Sequence, residues 1–526
     1  MLTTKKILFL LIGLIVFADA QAQFLSEKIK DSSVQNDGYL RHQVKGTVLD
    51  GEGQPILGAT VSYLNLSSVV TDSMGEFVLK VPNHYATIRV KVEGYDPKNI
   101  PLRGKKSLQV IMKEETRFSF YSNVQLPYSE GIKSNTTFSV TKVKNRDKWS
   151  TPFESPGAFL QGRVSGMNVI RRSGIPGVGA DIFLRGFSSL NANNQPLFVV
   201  DGVIYDVSNF GKSIIPGFQQ SPLSFIDTRD IDNITVIKDG SALYGSKGAN
   251  GIVYITTTQP KQEATHIDFG SYGFVNFVPK FIPVMDADEY RVYLSGLLES
   301  NKQLSDRQIQ KMPFLNDNKN SGFYFPYHQN TNWQDLVFNN GFGQNDYLRI
   351  SGGDNIAKYM LSMGFLKNNG TVRNTGLLRY NARFNADLNI SKRLRVRGNF
   401  SFSEMESNLK ATGTNYKTNP IFVALTKAPF YGSHLFSDEG IRSPLLAGVD
   451  SFGVSNPEAI IGNMSANSKG YSFRGSVDFQ YNFSNSLYAS ALVAITMNKA
   501  RETFFVPEAG IVGDTLGAAI ADNRIG

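Results

Sequence analysis

The sequence predicts a mainly β protein in three parts: an N-terminal β-sandwich, a compact α+β globule, and a series of long antiparallel strands. Short β-runs separated by turn residues recur through residues 43–113, a pattern typical of a small sandwich. Glycine and Asx turns flank two short apolar runs at residues 197–200 and 252–256, which indicates short strands joined by tight loops. Beyond residue 261, apolar and polar residues alternate with a period of two over long runs, the signature of β-strands with two different faces.

Composition narrows the class of protein. The chain has 526 residues, of which 41% are hydrophobic and 12% aromatic, enough for several packed cores. Because it contains no cysteine, disulfides, thiolate metal sites, cysteine nucleophiles and a lipid-acceptor cysteine are excluded. The net charge is +9. The basic residues are spread along the chain, so we predict no nucleic-acid partner.

The N-terminus has the three parts of a signal peptide. Lys5 and Lys6 precede an apolar run over residues 7–17, and Ala20-Gln21-Ala22 supplies a small-residue cleavage site. The apolar run is shorter than the roughly 20 residues that a transmembrane helix needs. We therefore predict a signal peptide over residues 1–22, cleaved after Ala22, and an exported protein.

Residues 43–113 are predicted to form a small antiparallel β-sandwich. Two of its stretches, GTVLDGEGQPILGATV and TDSMGEFVLKV, resemble the carboxypeptidase-regulatory-like domain. Despite that name, the sequence shows no hydrolytic constellation. We interpret Asp50, Glu52, Asp72 and Glu76 as turn residues, and we expect a structural or interaction role for this domain.

The globule carries the most specific signal in the chain. Three ordered blocks, LQGRVSGMNV, LRGFSSLNANNQPLFVVDGV and DGSALYGSKGANGIVYITT, resemble the plug domain of TonB-dependent outer-membrane transporters, in the SusC/RagA-like branch. The resemblance implies that residues 149–260 form a plug inside a β-barrel. The signature positions that we single out are Gly162, Arg185, Gly186, Asp201, Gly202, Gly240, Tyr244, Gly245 and Gly251.

We assign different roles to these signature residues. The glycines are expected where the backbone needs a positive φ or a close approach to a neighbouring chain segment. Arg185 and Asp201 are expected to make polar contacts that hold the plug together. Direct contact of these two side chains with a ligand is the alternative.

Residues 114–148 read as a linker in which the family carries its Ton box, a segment that pairs with the inner-membrane protein TonB. Our candidate consists of Ser122, Asn123, Val124, Gln125 and Leu126. Such a segment must be free of the fold in order to add as an extra strand to another sheet. The usual run of consecutive valines is missing here, and a plain linker strand is the alternative.

The alternating runs after the globule read as barrel strands. The strongest lie at residues 378–390, 393–403, 471–483 and 487–497, and further candidates lie at 266–274, 347–352 and 358–367. One polar and one apolar face fits a lumen and a lipid surface, but a soluble sandwich shows the same alternation. The predicted signal peptide and the plug resemblance favour the membrane.

The predicted strands are too few for the family's barrel. Family barrels have about 22 strands around a plug, and an eight-stranded barrel has room only for its own side chains. Residues 261–526 supply about eight to ten candidates, and residues 408–469 read mostly as loop. We therefore expect an incomplete transmembrane antiparallel β-barrel, from a chain that is truncated relative to the family.

No enzyme chemistry is predicted. The five histidines are scattered, and we find no catalytic, cofactor or metal motif. Gly211-Lys212-Ser213 lacks the glycine that a P-loop places five residues earlier. The resemblance implies TonB-dependent import of an oligosaccharide or peptide through the outer membrane, with a SusD-like surface lipoprotein as lid. A surface adhesin or interaction protein is the alternative.

Overall fold

The computed structural model describes most of the chain in two compact units. The described residues are 42–63, 67–92, 94–114, 123–127, 130–133, 136–144, 154–205, 213–300, 304–413, 417–484, 487–513 and 519–525. The predicted signal peptide, Ser122 and residues 211–212 lie outside them. One unit contains Met1–Asn123 and Gly131–Asn135, and the other contains Val124–Glu130 and Thr136–Gly526.

The first unit is the predicted sandwich. Its strands are β1 (His42–Leu49), β2 (Thr60–Tyr63), β3 (Ser67–Val70), β4 (Glu76–Val81), β5 (Thr87–Lys91), β6 (Lys98–Pro101) and β7 (Ser107–Ile111). They form a three-stranded sheet, β4-β1-β7, and a four-stranded sheet, β3-β2-β5-β6. The expectation of a purely antiparallel sandwich is wrong, because β1 and β7 pair in parallel. A period of two reports which residues share a face and carries no information on strand direction.

Turns and one close approach shape the sandwich. Asp50 Oδ1 accepts hydrogen bonds from the backbone of Glu52 and Gln54, as a turn residue does. Gly46 lies at the centre of β1, opposite Phe77 on one neighbour and Leu108 on the other. A Cβ atom on Gly46 would lie 2.4 Å from the Leu108 carbonyl oxygen. The sheet therefore requires glycine at this position.

Strands β8 (Asn123–Gln125) and β9 (Glu130–Ile132) lie where the chain passes between the two units. The α+β globule follows in the second unit, and we call it the plug. Its elements are β10 (Val140–Lys144), α1 (Pro156–Leu160), β11 (Met167–Arg171), β12 (Ala180–Leu184), β13 (Leu197–Val200), β14 (Val203–Tyr205), β15 (Ile231–Ile237), α2 (Ser241–Tyr244) and β16 (Ile252–Thr257). Two short 3-10 helices, Pro222–Phe225 and Thr228–Asp230, precede β15. The five-stranded sheet has the order β10-β15-β16-β13-β14, and it packs on α1 and the β11–β12 hairpin through a buried apolar core.

The main sheet of this unit consists of eight strands, which we call the wall. Its strands are β17 (Glu263–Asn276), β18 (Gly341–Gly353), β19 (Ala357–Asn369), β20 (Gly376–Asn389), β21 (Leu394–Asn408), β24 (Ser465–Asn482), β25 (Tyr488–Val506) and β26 (Ala519–Ile525). Each pairs antiparallel with its neighbour, and among the described residues β17 and β26 are the two edges. The predicted fold class, mainly β with a sandwich, a plug and an incomplete barrel, is confirmed.

The connections of the wall differ sharply between its two ends. At one end, turns at residues 354–356 and 390–393 join β18 to β19 and β20 to β21, and the short connection from β24 to β25 lies at the same end. At the other end, residues 370–375 join β19 to β20. The longer connections there contain α3 (Ala287–Ser300), α4 (Asp306–Gln310), α5 (Tyr324–Tyr327), α6 (Trp333–Val337), α7 (Pro420–Thr426), the hairpin β22 (His434–Phe436) and β23 (Arg442–Leu446), and α8 (Pro457–Asn463). We call these the short-turn end and the long-loop end. Among the described residues, no helix is both long and apolar enough to cross a lipid bilayer.

The interpretation of residues 408–469 as mostly loop is wrong in part, because α7 and α8 lie there. Both helices begin in the same way, with an asparagine cap followed by proline. Asn419 Oδ1 accepts from the backbone of Ile421, and Asn456 Oδ1 from that of Glu458. Proline suits the first helical position because no partner exists there for its missing N–H. The helices are too short for a clear helical period, so the Asn-Pro pairs were their only sequence signal.

The close approach at Gly46 gives a stability prediction. Gly46→Ala should destabilise a fragment of residues 42–114 by about 1–3 kcal/mol, because the new methyl group overlaps the backbone of β7. Urea unfolding measures this change. Gly51→Ala is the matched control, since a Cβ there meets nothing within 4 Å, and it should cost under about 0.5 kcal/mol. Equal stabilities of the two variants would contradict the packing described.

Candidate functional site

The wall meets the plug through charged side chains on the inner face of β20. Strand alternation places Arg379 and Arg383 on that face, and their side chains are 1% and 5% exposed. Burying a guanidinium is costly unless carboxylates or carbonyl oxygens surround it. The plug supplies both, from the turn after β13 and from the two 3-10 helices before β15. We call this set of contacts the plug–wall interface.

The first node of the interface is built on Asp227. Its carboxylate caps the short helix Thr228–Asp230, accepting from the Arg229 backbone at 2.9 Å and from Arg229 Nη2 at 2.9 Å. Arg379 Nη2 lies 3.6 Å from Asp227 Oδ2. The Arg229 guanidinium also lies over the ring of Tyr347, 4.6 Å from its centroid. One plug carboxylate thus holds a plug arginine and a wall arginine together.

The second node is built on Asp230. Tyr347 Oη and Ser362 Oγ each donate to Asp230 Oδ1 at 2.7 Å, so the wall strands β18 and β19 both contact this carboxylate. Arg383 lies between Asp230 and Asp201, with nitrogens 3.6 Å and 3.4 Å from their respective Oδ2 atoms. Arg383 Nη1 also donates to Thr257 Oγ1 at 3.1 Å. This node joins three wall strands to the ends of three plug segments.

Backbone carbonyls of the plug complete the interface. Arg379 Nη1 donates to the carbonyl oxygen of Ser224 at 2.8 Å. Asn381 Nδ2 and Ser403 Oγ both donate to the Phe225 carbonyl, at 2.9 Å and 2.6 Å. Asn385 Nδ2 donates to the Thr258 carbonyl at 2.8 Å. Side chains of the wall therefore bind the plug in large part through the plug's backbone carbonyl groups.

The interface is balanced in charge but not saturated in hydrogen bonds. Three carboxylates, of Asp201, Asp227 and Asp230, face the guanidinium groups of Arg229, Arg379 and Arg383. Buried atoms of the interface that have no hydrogen-bond partner among the described residues include Arg379 Nε, Arg383 Nε, Asn381 Oδ1, Asn385 Oδ1 and Asn399 Oδ1. A polar border of this kind contributes little net stability when whole, yet losing one partner is costly.

Burial and charge act in opposite directions on Asp227. Burial of its carboxyl group disfavours ionisation, but the neighbouring guanidinium of Arg229 and that of Arg379 outweigh it and hold the pKa at about 2. Asp227 is therefore ionised throughout the physiological range. Its charge is a permanent part of the interface.

Asp201 and Gly202, both predicted signature residues, form the tight turn between β13 and β14. Val200 pairs with Val203, and both turn residues have positive φ, 49° at Asp201 and 87° at Gly202. An Asp-Gly pair suits this two-residue hairpin turn. Asp201 also accepts from the Thr257 backbone at 2.8 Å and from Thr257 Oγ1 at 2.7 Å. The turn thus aims the Asp201 carboxylate at β16 and Arg383.

Arg185, Gly186 and Gly162 lie away from the plug–wall interface. Arg185 and Gly186 follow β12, both with positive φ, and Arg185 Nη1 pairs with Asp239 Oδ1 at 2.6 Å. Roughly half of each side chain of this pair is exposed, so it is a surface contact within the plug. Gly162 has a φ of 71° in the turn after α1. The structure brings none of the three to Arg379 or Arg383.

The remaining signature residues surround α2. Gly245 ends this helix with a φ of 60°, and Tyr244 is partly buried against the plug core. A Cβ on Gly240 would lie 2.5 Å from Ile252 Cγ1, so this glycine permits close packing. Gly251 has a φ of 87°, and a Cβ there would lie 2.5 Å from Leu184 Cδ1. These residues shape the plug rather than the interface.

The Ton-box candidate is not free of the fold. Asn123, Val124 and Gln125 form strand β8, and the Val124 side chain is fully buried in a cluster with Val199 and other plug residues. Leu126 is partly buried against the same cluster. The expectation of a detached segment is wrong for Val124, because a β-branched apolar side chain is more stable in this cluster than in water.

Sequence reasoning missed most of the interface. Only Asp201 was singled out, whereas Asp227, Arg229, Asp230 and the two β20 arginines were not. The sequence did contain a signal for this interface. Arginines on the polar face of a long strand need acceptors wherever that face is buried, and the segment 227–230 offers two carboxylates. Within the described ranges, no three His, Asp or Glu side chains are grouped so as to hold a metal ion.

The second node predicts a large effect of removing one arginine. Arg383→Met keeps the side-chain bulk but leaves Asp201 and Asp230 without their guanidinium, and should cost about 3–5 kcal/mol of stability. Thermal unfolding in detergent measures the loss. Arg397→Met is the control, because that side chain is 42% exposed and its pair should contribute about 1 kcal/mol or less. Equal losses in both variants would refute the assigned role of Arg383.

The lowered pKa of Asp227 gives a pH prediction. Its stabilising contribution is complete above the ordinary pKa of 3.8 and is lost as pH falls through about 2. In Asp227→Asn the acid-induced loss of stability between these values should be smaller than in the unmodified protein. Tryptophan fluorescence followed during acid titration reports it. Asp288→Asn serves as control, because its side chain is 91% exposed, and should leave the acid profile unchanged.

Comparison with known proteins places these features in a family. A family model described as "TonB-dependent Receptor Plug Domain" matches residues 132–252, and one described as "Carboxypeptidase regulatory-like domain" matches residues 43–120. The chain is 30% identical over 385 residues to the TonB-dependent receptor SusC of Bacteroides thetaiotaomicron, covering 72% of this chain and 34% of SusC. TonB-dependent receptor P3 of Formosa agariphila is 26% identical over 483 residues, covering 90% of this chain and 44% of P3.

A solved structure agrees on the fold. The RagAB peptide importer in its open-open state superposes with a TM-score of 0.62 at 22% identity, over 77% of this chain and 45% of that one. The chain thus spans between a third and a half of the length of the relatives that it matches. With two family domains in order and a SusC relative covering most of the chain, the protein belongs to the SusC/RagA-like TonB-dependent receptors, which are not a class of enzymes.

Proposed function

We propose that the protein takes part in TonB-dependent import of a nutrient across the bacterial outer membrane. The observation that carries the proposal is the plug–wall interface, in which ion pairs and hydrogen bonds to plug carbonyls lie beside apolar contacts such as that of Phe225 with Leu366, Leu377 and Met405. Water can replace the polar contacts group by group, so that a pulling force meets its main apolar cost at the clusters around Phe225 and Phe218. The interior of the plug is apolar, which keeps it coherent in the closed state.

TonB is the proposed source of force, because no nucleotide motif was found in the sequence. The Ton-box candidate is the proposed handle. Val124 is buried beside Val199 and Ile237, so the segment must leave the plug before it pairs with TonB as an added strand. Pulling on β8 would act directly on the sheet that carries β13 and β15. The interface nodes at Asp201 and Asp230 border those two strands.

Cargo and partners follow from the relatives. RagAB is a peptide importer, and resemblance to the SusC branch adds oligosaccharides. We propose an oligosaccharide or a peptide as cargo and a SusD-like lipoprotein as lid over the long-loop end. An outer-membrane location after signal-peptide removal is part of the same proposal. Membrane fractionation combined with heat-modifiable migration on a gel tests that location.

A plug-to-wall disulfide tests transport itself. A Cβ on Gly177 of the plug would lie 3.0 Å from Ser407 Oγ of β21, and the chain has no other cysteine. Gly177→Cys combined with Ser407→Cys should therefore cross-link the plug to the wall, abolish uptake under oxidising conditions and recover it with a reductant. Growth on a panel of glycans and peptides measures uptake. Gly177 has a φ of 83°, at which a side chain is strained, so uptake by each single variant is the baseline, and that uptake should not change between oxidising and reducing conditions.

A second cross-link is the matched control. Leu388 and Val396 lie opposite each other on neighbouring wall strands, so cysteines at both positions join wall to wall and should leave uptake intact. Uptake that persists with the plug fully cross-linked would contradict the proposal. It would favour the alternative, an adhesin that uses no plug movement.

A further inference from the structure

A second arginine lies in the same row of the inner wall face as Arg383. Strand register places Ser401 of β21 opposite Arg383, and Arg474 of β24 opposite Ser401. Thr496 of β25 lies opposite Arg474. Neighbouring strands are about 4.8 Å apart, so the backbones at the two arginines are separated by roughly 10 Å. The row therefore presents two guanidinium groups with a hydroxyl group between them.

The two guanidinium groups differ in their partners. Arg383 lies between Asp201 and Asp230. Arg474 lies over the ring of Tyr205, with its central guanidinium carbon 4.8 Å from the ring centroid. Among the residues that the structure describes, Arg474 forms no ion pair and no hydrogen bond. Its N–H donors are therefore available to an acceptor from outside the protein.

Arg474 lines a cavity of about 30 Å³ between the plug and the wall. The other polar wall residues that line it are Arg383, Asn399, Ser401, Ser476 and Thr496. The plug contributes Asp201, whose carboxylate is already paired with Thr257 and Arg383. About 10–15 Å³ of such space holds one water molecule, so the cavity has room for about two oxygen atoms.

The cavity reaches the surface on the inner side of β25. Thr496 lines it and is exposed, and so is Ala494, the next residue on that face. Arg474 and Ser401 are only partly exposed. A small group can thus enter the cavity while the rest of its molecule lies along β25.

We propose that this cavity binds a carboxylate group carried by the imported molecule. A guanidinium group matches a carboxylate with two parallel N–H···O hydrogen bonds, and the hydroxyl groups of Ser401 and Thr496 add donors on either side of Arg474. The space suits two oxygen atoms, and the adjacent positive charges disfavour a cation. The assignment to cargo rests on the proposed function, whereas the binding of a carboxylate does not.

A single cysteine reports whether the cavity is occupied, because the chain has none of its own. Ser401→Cys places a thiol directly opposite Arg474, and its alkylation by iodoacetamide is followed in the full chain purified in detergent. Acetate should slow the reaction saturably. At about ten times its Kd the free fraction is about one in eleven, so the rate should fall about tenfold.

Two competitors separate carboxylate binding from general effects. Acetamide has the shape of acetate without its charge, and chloride at equal ionic strength screens charge equally without the paired oxygen atoms. Neither should slow alkylation of the Ser401→Cys protein. Equal slowing by either one, or no slowing by acetate, would overturn the site without reference to any change at Arg474.

Variants in the Ser401→Cys background then assign the effect to Arg474. Arg474→Gln should abolish the protection by acetate, and Arg474→Lys, which keeps the charge but loses the paired donors, should need more acetate for the same protection. Arg393→Gln is the matched control, because it removes an exposed arginine from a turn at the short-turn end, and should leave protection unchanged. Protection that survives in Arg474→Gln, or is lost in Arg393→Gln, would overturn the assignment.

A peptide pair tests the assignment to cargo. N-acetyl-dialanine carries a free carboxylate on a longer molecule, and its C-terminal amide differs only in lacking that charge. The acid should slow alkylation of the Ser401→Cys protein and the amide should not. Protection by acetate with no protection by the peptide acid would overturn the assignment to cargo. None of these measurements depends on uptake, so their failure is distinct from a failure of the proposed import.

Discussion

The buried guanidinium groups of β20 impose the main constraint on this structure. Arg379 and Arg383 point into a space where water has little access, so each needs an acceptor at a defined position. The plug meets that need with carboxylates at the starts of short helices and turns, where a side chain can be aimed by local backbone geometry. Asp227 caps a 3-10 helix and Asp201 occupies a hairpin turn. Local structure in the plug is therefore set by the chemistry of the wall.

The interior of the plug and its border with the wall consequently differ in how much stability their contacts contribute. Inside, strands β15 and β16 bury Ile234, Val236 and Val253 in a continuous apolar core, which contributes roughly 1.5–3 kcal/mol for each large side chain. At the border with the wall, each ion pair largely offsets the cost of its own desolvation. Unpaired atoms such as Arg379 Nε mark places where the contact is incomplete. A plug held in this way has a stable interior, and water can replace its polar contacts with the wall.

The long strands were predictable from sequence because a period of two is local information, and the same holds for the turn glycines. The interface was not, because Arg383 and its acceptor Asp201 are 182 residues apart, and no local pattern connects them. The direction of β7 and the helices α7 and α8 were not predicted, for related reasons. Pairing direction leaves no trace in alternation, and a seven-residue helix is too short for a period to be counted.

One register serves both faces of the wall. The alternation that directs Arg379 and Arg383 inward directs Tyr380, Ala382 and Phe384 outward. In the proposed membrane location, a slip of one residue would reverse every side chain of β20, placing two guanidinium groups in hydrocarbon and aromatic rings against the plug carboxylates. Both outcomes are costly, so in that location the plug and the lipid would each specify the same register.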